Sequence, residues 1–159
     1  MNILGLDKTK VRTSSETAEF VLGTIGRVDG SGYLYKYVKY NAGAGSVAAV
    51  AGNFVYNYAV TGTSAGAYTE VTSDATDSGG IGMGVLQAVI ATGGYGWIQI
   101  TGYAVLNLAL VSGADGNALT AAGLTTEDGK LKVSAAVTNH VCAIAIDASE
   151  KKVFLTCPF

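Results

Sequence analysis

Between Gly94 and Gly102 the chain alternates. Trp97, Gln99 and Thr101 fall on one side of an extended backbone, and Ile98 and Ile100 fall on the other. That two-residue period belongs to a strand half buried in an antiparallel sheet. Gly102 predicts a bend or bulge. Beyond it the parity continues, with Ala104, Leu106 and Leu108 opposite Val105 and Asn107. The stretch therefore predicts one long bent strand or two short ones. A second alternating row occupies 33–40, where Tyr33, Tyr35 and Tyr37 share one face and Leu34, Lys36, Val38 and Tyr40 share the other. Asp29-Gly30-Ser31-Gly32 ahead of it is a turn sequence, so 20–28 and 33–40 read as a hairpin.

The same patterning predicts strands over 54–60, 68–72, 81–90, 117–120, 140–147 and 152–157, with loops at 62–66 and 73–80. Residues 81–90 lack a clean period of two and read as a fully buried strand, in which Gly82 and Gly84 permit curvature. Asp128-Gly129 is a strong short hairpin signal and predicts strands at 124–127 and 130–133. Residues 41–52 are nearly all small, which suits a tight loop with one helical turn over 46–51. The short strands, with turns every ~8–12 residues, predict an all-β fold: a compact antiparallel β-sandwich or barrel with short hairpins.

Residues 1–19 differ from the rest, with Lys8, Lys10 and Arg12 followed by Glu16 and Glu19. Thr13 and Glu16 have capping-box spacing, and Gly23 is placed to end a helix over 14–22. An extended N-terminal arm is the reading preferred here. It is expected to be poorly ordered alone and to order against a neighbour, because it lacks the apolar residues to fold by itself. The division is an arm at 1–19 and a single β-domain at 20–159.

Composition narrows the classes. The 159 residues carry a net charge of -2, with 10 Lys and Arg among 12 acids, which argues against a nucleic-acid footprint. Charged residues make up only 14% of the chain, against an average near ~25%, and mean hydropathy is +0.35. So bland a surface points to homo-oligomerisation or assembly onto a larger body. No apolar run approaches the ~20 residues of a membrane-spanning helix. The first seven residues have no basic region and too short an apolar run for a signal peptide.

The residues that carry chemistry are sparse. His140 and Cys142 make at most two metal ligands, where zinc takes three or four. Gly80, Gly82 and Gly84 fall short of a dinucleotide loop, since Val85 stands where its last glycine belongs. Asp74 and Asp77 lack the remaining oxygens of a calcium cage and read as a solvated loop. No G-x-S-x-G elbow occurs. Cys142 and Cys157 lie in apolar runs and read as buried reduced thiols. No catalytic residue, metal or cofactor is expected. The nine tyrosines allow two readings, a sheet core or an interface. For Trp97 the alternation favours a face away from the main core, covered by a partner surface. The candidate partner-interface residues are Tyr33, Tyr35, Tyr37, Trp97, Gln99, Thr101 and Tyr103.

Taken together, the sequence resembles the capsid cement, or decoration, proteins of tailed bacteriophages. The resemblance is carried by Leu22-Gly23-Thr24 and by the small-residue segment 42–52. Gly94-Tyr95-Gly96-Trp97-Ile98-Gln99-Ile100-Thr101-Gly102 carries more of it. A Gly-rich turn with Leu119 and the late run Val141-Cys142-Ala143-Ile144-Ala145 complete it, with Cys142 standing where the family has glycine. It covers roughly residues 20–157. The resemblance implies a non-enzymatic β-domain, usually trimeric, on the outer surface of the virion capsid after synthesis in the host cytoplasm. Its partners would be the major capsid protein and copies of itself, with no nucleic acid, membrane or small-molecule substrate. The rival expectation is a receptor- or glycan-binding head of a fibre or adhesin, in which Tyr33, Tyr35, Tyr37 and Trp97 stack sugar rings. A small β-barrel hydrolase is the third.

Overall fold

The computed structural model describes residues 2–28, 30–58 and 68–158. Its strands, in chain order, are β1 (Asn2–Leu4), β2 (Ile25–Arg27), β3 (Leu34–Tyr40), β4 (Phe54–Tyr58), β5 (Glu70–Thr72) and β6 (Ser78–Leu86). They continue with β7 (Tyr95–Gln99), β8 (Thr101–Val105), β9 (Ala118–Ala121), β10 (Leu131–Val133), β11 (Ala143–Asp147) and β12 (Lys152–Thr156). The protein is all-β, with no α-helix among the described residues.

β3 organises the first sheet. One of its edges pairs with β7 from Tyr35 to Lys39, while the other is shared between β2 near its start and β5 at its end. With β4 between β5 and β6, and β6 on β7, strands β3-β5-β4-β6-β7 close into a five-stranded barrel. A second sheet, in the order β10-β9-β11-β12-β8, is antiparallel throughout.

The alternating stretch seen in the sequence is the bridge between them. It breaks into two strands at Ile100 rather than at Gly102. Ile100 donates its N–H to Leu34 O in the barrel at 2.9 Å, and its carbonyl accepts from Cys157 N beside the second sheet at 3.0 Å. One residue thus serves both sheets. The core lies between and within them. Phe54, Tyr56, Met83, Val85 and Ile98 from the barrel join Leu119, Leu131, Val153 and Leu155 from the second sheet. Side chains of this kind each contribute about 1.5–3 kcal/mol on full burial. Gly82 sits at the contact of the two layers, where an added Cβ would overlap the Cys142 sulfur and the Phe54 ring. Close approach, rather than curvature alone, requires that glycine.

Several expectations are corrected. Two pairings are parallel, β1 with β2 and β3 with β5. β1 can run parallel to β2 because the arm supplies a crossover long enough to return to the same end. Residues Thr125–Glu127 form a 3₁₀ turn, not a strand. The Glu127 carboxylate accepts N–H bonds from Gly123 and Leu124 at 3.1 and 3.2 Å, which curls the segment on itself. Asp128-Gly129 therefore closes no hairpin. Asp128 instead accepts from Ala75 N at 2.8 Å, and Gly129 O accepts from Phe54 N at 2.9 Å. β10 pairs with β9. Residues 46–51 and 14–22 contain turns but no helix. At 13–16 the capping-box bonds form without one: Thr13 N donates to Glu16 Oε2 at 2.7 Å. The loop expected at 62–66 and the end of the strand expected at 54–60 lie outside the described residues.

Candidate functional site

The outer side of the β3–β7 ribbon carries Tyr35, Tyr37 and Trp97, with Tyr37 directly opposite Trp97 in the register. Their alternation away from the main core is as the sequence indicates. What covers them is not. Ile3, Leu6, Ala18, Phe20 and Leu22 of the N-terminal segment fold over this face and make a second apolar cluster, separate from the main one. Phe20 stacks edge-on against Tyr37 and tilted against Trp97, each with ring centroids 5.4 Å apart. Tyr37 and Trp97 are themselves 5.0 Å apart. Such aromatic pairs add about 0.5–1.5 kcal/mol beyond their burial. The arm is clamped by Glu19, which accepts from Lys10 Nζ at 2.7 Å and Arg12 Nε at 3.3 Å. Glu19 N donates to the Tyr37 hydroxyl at 3.3 Å. Burial pushes the Tyr37 phenol above its ordinary pKa.

Four of the seven candidate interface residues are therefore corrected. Tyr35, Tyr37, Trp97 and Gln99 are 2%, 1%, 1% and 5% exposed. The partner surface that Trp97 requires is the chain's own N-terminal segment, so Tyr35, Tyr37 and Trp97 are structural, while Gln99 is tucked against the Thr101 and Tyr103 carbonyls. The sugar-stacking row of the glycan-binding alternative loses three of its four rings to the same cover. Tyr33 and Thr101 are half-buried, and only Tyr103 stands open, at 57% exposure. Thr101 Oγ1 accepts from Leu34 N at 3.0 Å. The ring of Tyr33 lies over Gly102, where a Cβ would overlap it and where φ is +86°. Substitution there is strained twice over.

Tyr103 belongs to a different surface. It meets Phe154 edge-to-face, with centroids 5.1 Å apart, and pairs with it across β8 and β12. Val105 and Ile146 complete an open apolar face on the outer side of the second sheet, at 59% and 44% exposure. Lys152 lines the hollow between Tyr103, Val105 and Ile146. Sequence reasoning missed Phe154 and Ile146. The signal was present: in 152–156 the residues alternate exposed and buried, with Val153 and Leu155 inside and Phe154 left outside.

The two acids and the two thiols that could carry chemistry are engaged within the fold. Asp74 is buried and is no solvated loop residue. Its Oδ1 accepts from Thr76 N and Oγ1 at 3.0 and 2.7 Å, and its Oδ2 from Gly45 N at 2.8 Å. Burial pushes its carboxyl up, but these bonds together outweigh it and hold the pKa below the ordinary 3.8. Asp77 accepts from Ala44 N at 2.6 Å. Both acids staple 73–77 to the small-residue loop at 43–45. Cys142 and Cys157 are free and buried. Cys157 Sγ donates to the Cys142 carbonyl at 3.5 Å, and the neighbouring Cys142 thiol, and then burial, push Cys157 well above its ordinary pKa, the reverse of an activated nucleophile. Among the described residues no group of three metal-ligating side chains occurs, and no helix is long and apolar enough to cross a membrane.

No protein-family model, curated protein or solved structure matches the chain.

Proposed function

We propose that the chain is a non-enzymatic cement protein of a tailed-bacteriophage head, bound as a homotrimer to the outer surface of the assembled major capsid protein shell. The observation that carries this reading is the open apolar face of Tyr103, Val105, Ile146 and Phe154 on a chain with so few charges. The glycine-framed resemblance around Trp97 supports it.

Attachment works by burial. The three strands that carry the open face, ~4.8 Å apart and ~17 Å long, cover about 250 Å² in plan. A stable two-protein interface needs about 800 Å² per partner, so one copy binds weakly. Three linked copies raise the effective concentration of each contact. A protein that binds only the assembled shell stabilises it by mass action. Rupture of the shell must then break those contacts as well.

The test adds purified protein to empty, mature shells and measures co-sedimentation and the temperature at which shells rupture. Saturable attachment and a raised rupture temperature are expected. Absence of attachment refutes the reading. Light scattering at micromolar concentration should give three chain masses; a value near the 16.1 kDa of one chain refutes the trimer.

A further inference from the structure

Among the described residues β8 is the last strand of the second sheet, with β12 as its only strand neighbour there. Cys157 N donates to Ile100 O and Leu106 N donates to Lys151 O, at 3.0 and 2.9 Å. These bonds fix which residues face β12. By the alternation of an antiparallel ladder, Thr101, Tyr103 and Val105 turn their N–H and C=O groups to the opposite, free edge. There a side chain stands in for a strand. Gln99 Nε2 donates to both Thr101 O and Tyr103 O, at 3.0 and 2.8 Å. Along the same edge runs a groove of about 300 Å³, lined by Lys8, Tyr35, Gln87, Gln99, Tyr103 and Val105 among others. Among the described residues Lys8 is the one charged member of that lining, and its Nζ stands 5.6 Å over the Tyr35 ring.

We propose that this groove docks an extended peptide segment of another protein, carrying a carboxylate, as a sixth strand beside β8. Backbone N–H groups of the segment take over the two carbonyls that Gln99 holds, and its backbone carbonyls accept from the free edge. Its carboxylate meets the Lys8 ammonium. Every second side chain of the added strand extends the open apolar face next to Tyr103 and Val105. A second copy of this chain fits less well, because symmetric β8–β8 pairing brings two Lys8 ammonium groups to one groove. The site is set by backbone geometry and does not depend on which body the protein coats. Gln99 acts in the free protein as a plug that keeps the edge from pairing at random.

The test uses the whole protein, ¹⁵N-labelled, titrated with the peptide Ac-Thr-Val-Thr-Val-Glu-NH2. Two control peptides accompany it, one with Lys in place of Glu and one N-methylated on alternate residues. Amide shifts should gather at 101–105, and exchange of the Tyr103 and Val105 N–H protons should slow. The Glu peptide should bind about threefold to fivefold more tightly than the Lys peptide, the range expected of an exposed ion pair. Lys8→Ala should abolish that preference, N-methylation should abolish binding, and Gln99→Ala should tighten it. Equal binding of the N-methylated peptide, shifts centred elsewhere, or no binding at ~1 mM would each overturn the proposal. So would concentration-dependent protection of β8 without peptide, which would assign the edge to a second copy.

Discussion

Two apolar faces of this molecule began as equals and ended differently. The outer face of β3 and β7 presents Tyr35, Tyr37 and Trp97; the outer face of β8, β11 and β12 presents Tyr103, Val105, Ile146 and Phe154. The first is closed by the arm to 1–2% exposure, and the second remains 37–59% exposed. Both lie on strands whose other side feeds one main core. The difference is therefore not in the strands but in what packs on them: among the described residues the N-terminal segment covers the first face and nothing comparable lies on the second. A covered aromatic face is part of the fold, whereas an uncovered one of similar make-up is available to a partner.

Removing the N-terminal segment should have the largest effect. Deleting residues 1–22 takes away Ile3, Leu6, Phe20 and Leu22 and bares Trp97. At about 1.5–3 kcal/mol for each buried side chain, the loss should be about 5 kcal/mol or more, or a failure to fold. Urea unfolding measures it; an unchanged midpoint would mean the arm is dispensable cover.

Trp97→Ala should come next. Truncating a fully buried aromatic costs about 3–5 kcal/mol, and whatever remains folded should associate as the wild type does. A near-neutral unfolding energy would return Trp97 to the interface that alternation alone allows.

Asp74→Asn should cost less, about 1–3 kcal/mol, because the new amide cannot accept from Gly45 N as the carboxylate does. Its pH dependence has a definite sign. The folded carboxyl lies below the ordinary 3.8, so its stabilisation is complete above that value and disappears as pH falls through the lowered one. The wild type and the variant should therefore converge in stability only below about pH 4. A difference between them that persisted unchanged to lower pH would assign the cost to something other than the charge. Asp74 ties the loops of the barrel rather than either outer face, so association should be untouched.

Much of this architecture was legible in the residues. The row Tyr33-Tyr35-Tyr37 against Leu34-Val38-Tyr40, and the row Trp97-Gln99 against Ile98-Ile100, assigned each side chain to the correct side of its strand. Period two encodes sidedness directly. It does not encode what lies opposite. Ile3 and Leu6 are diluted by Lys8, Lys10, Arg12 and Glu16, so residues 1–19 read as an arm too poor in apolar residues to fold alone. Phe20 and Leu22 have strand spacing and read as the start of the strand expected over 20–28, which begins only at Ile25. Asp128-Gly129 has the composition of a hairpin turn, but the Glu127 carboxylate, folding back on Gly123 and Leu124, wins locally. The break at Ile100 carries no glycine signal, because it arises from hydrogen bonds to two sheets that only the fold brings together.

The most direct test pairs stability with attachment in the double variant Tyr103→Ser/Phe154→Ser. Urea unfolding of the free protein and co-sedimentation with capsid shells are measured beside the wild type. Losing this edge-to-face pair and the buried part of both rings should cost the free protein about 1–3 kcal/mol, so attachment is compared where both proteins are folded. Shell affinity should fall about tenfold or more, the loss expected of aromatic contact residues. If the variant attaches as tightly as the wild type, the open face is not where this protein meets its partner, and the account given for it is wrong.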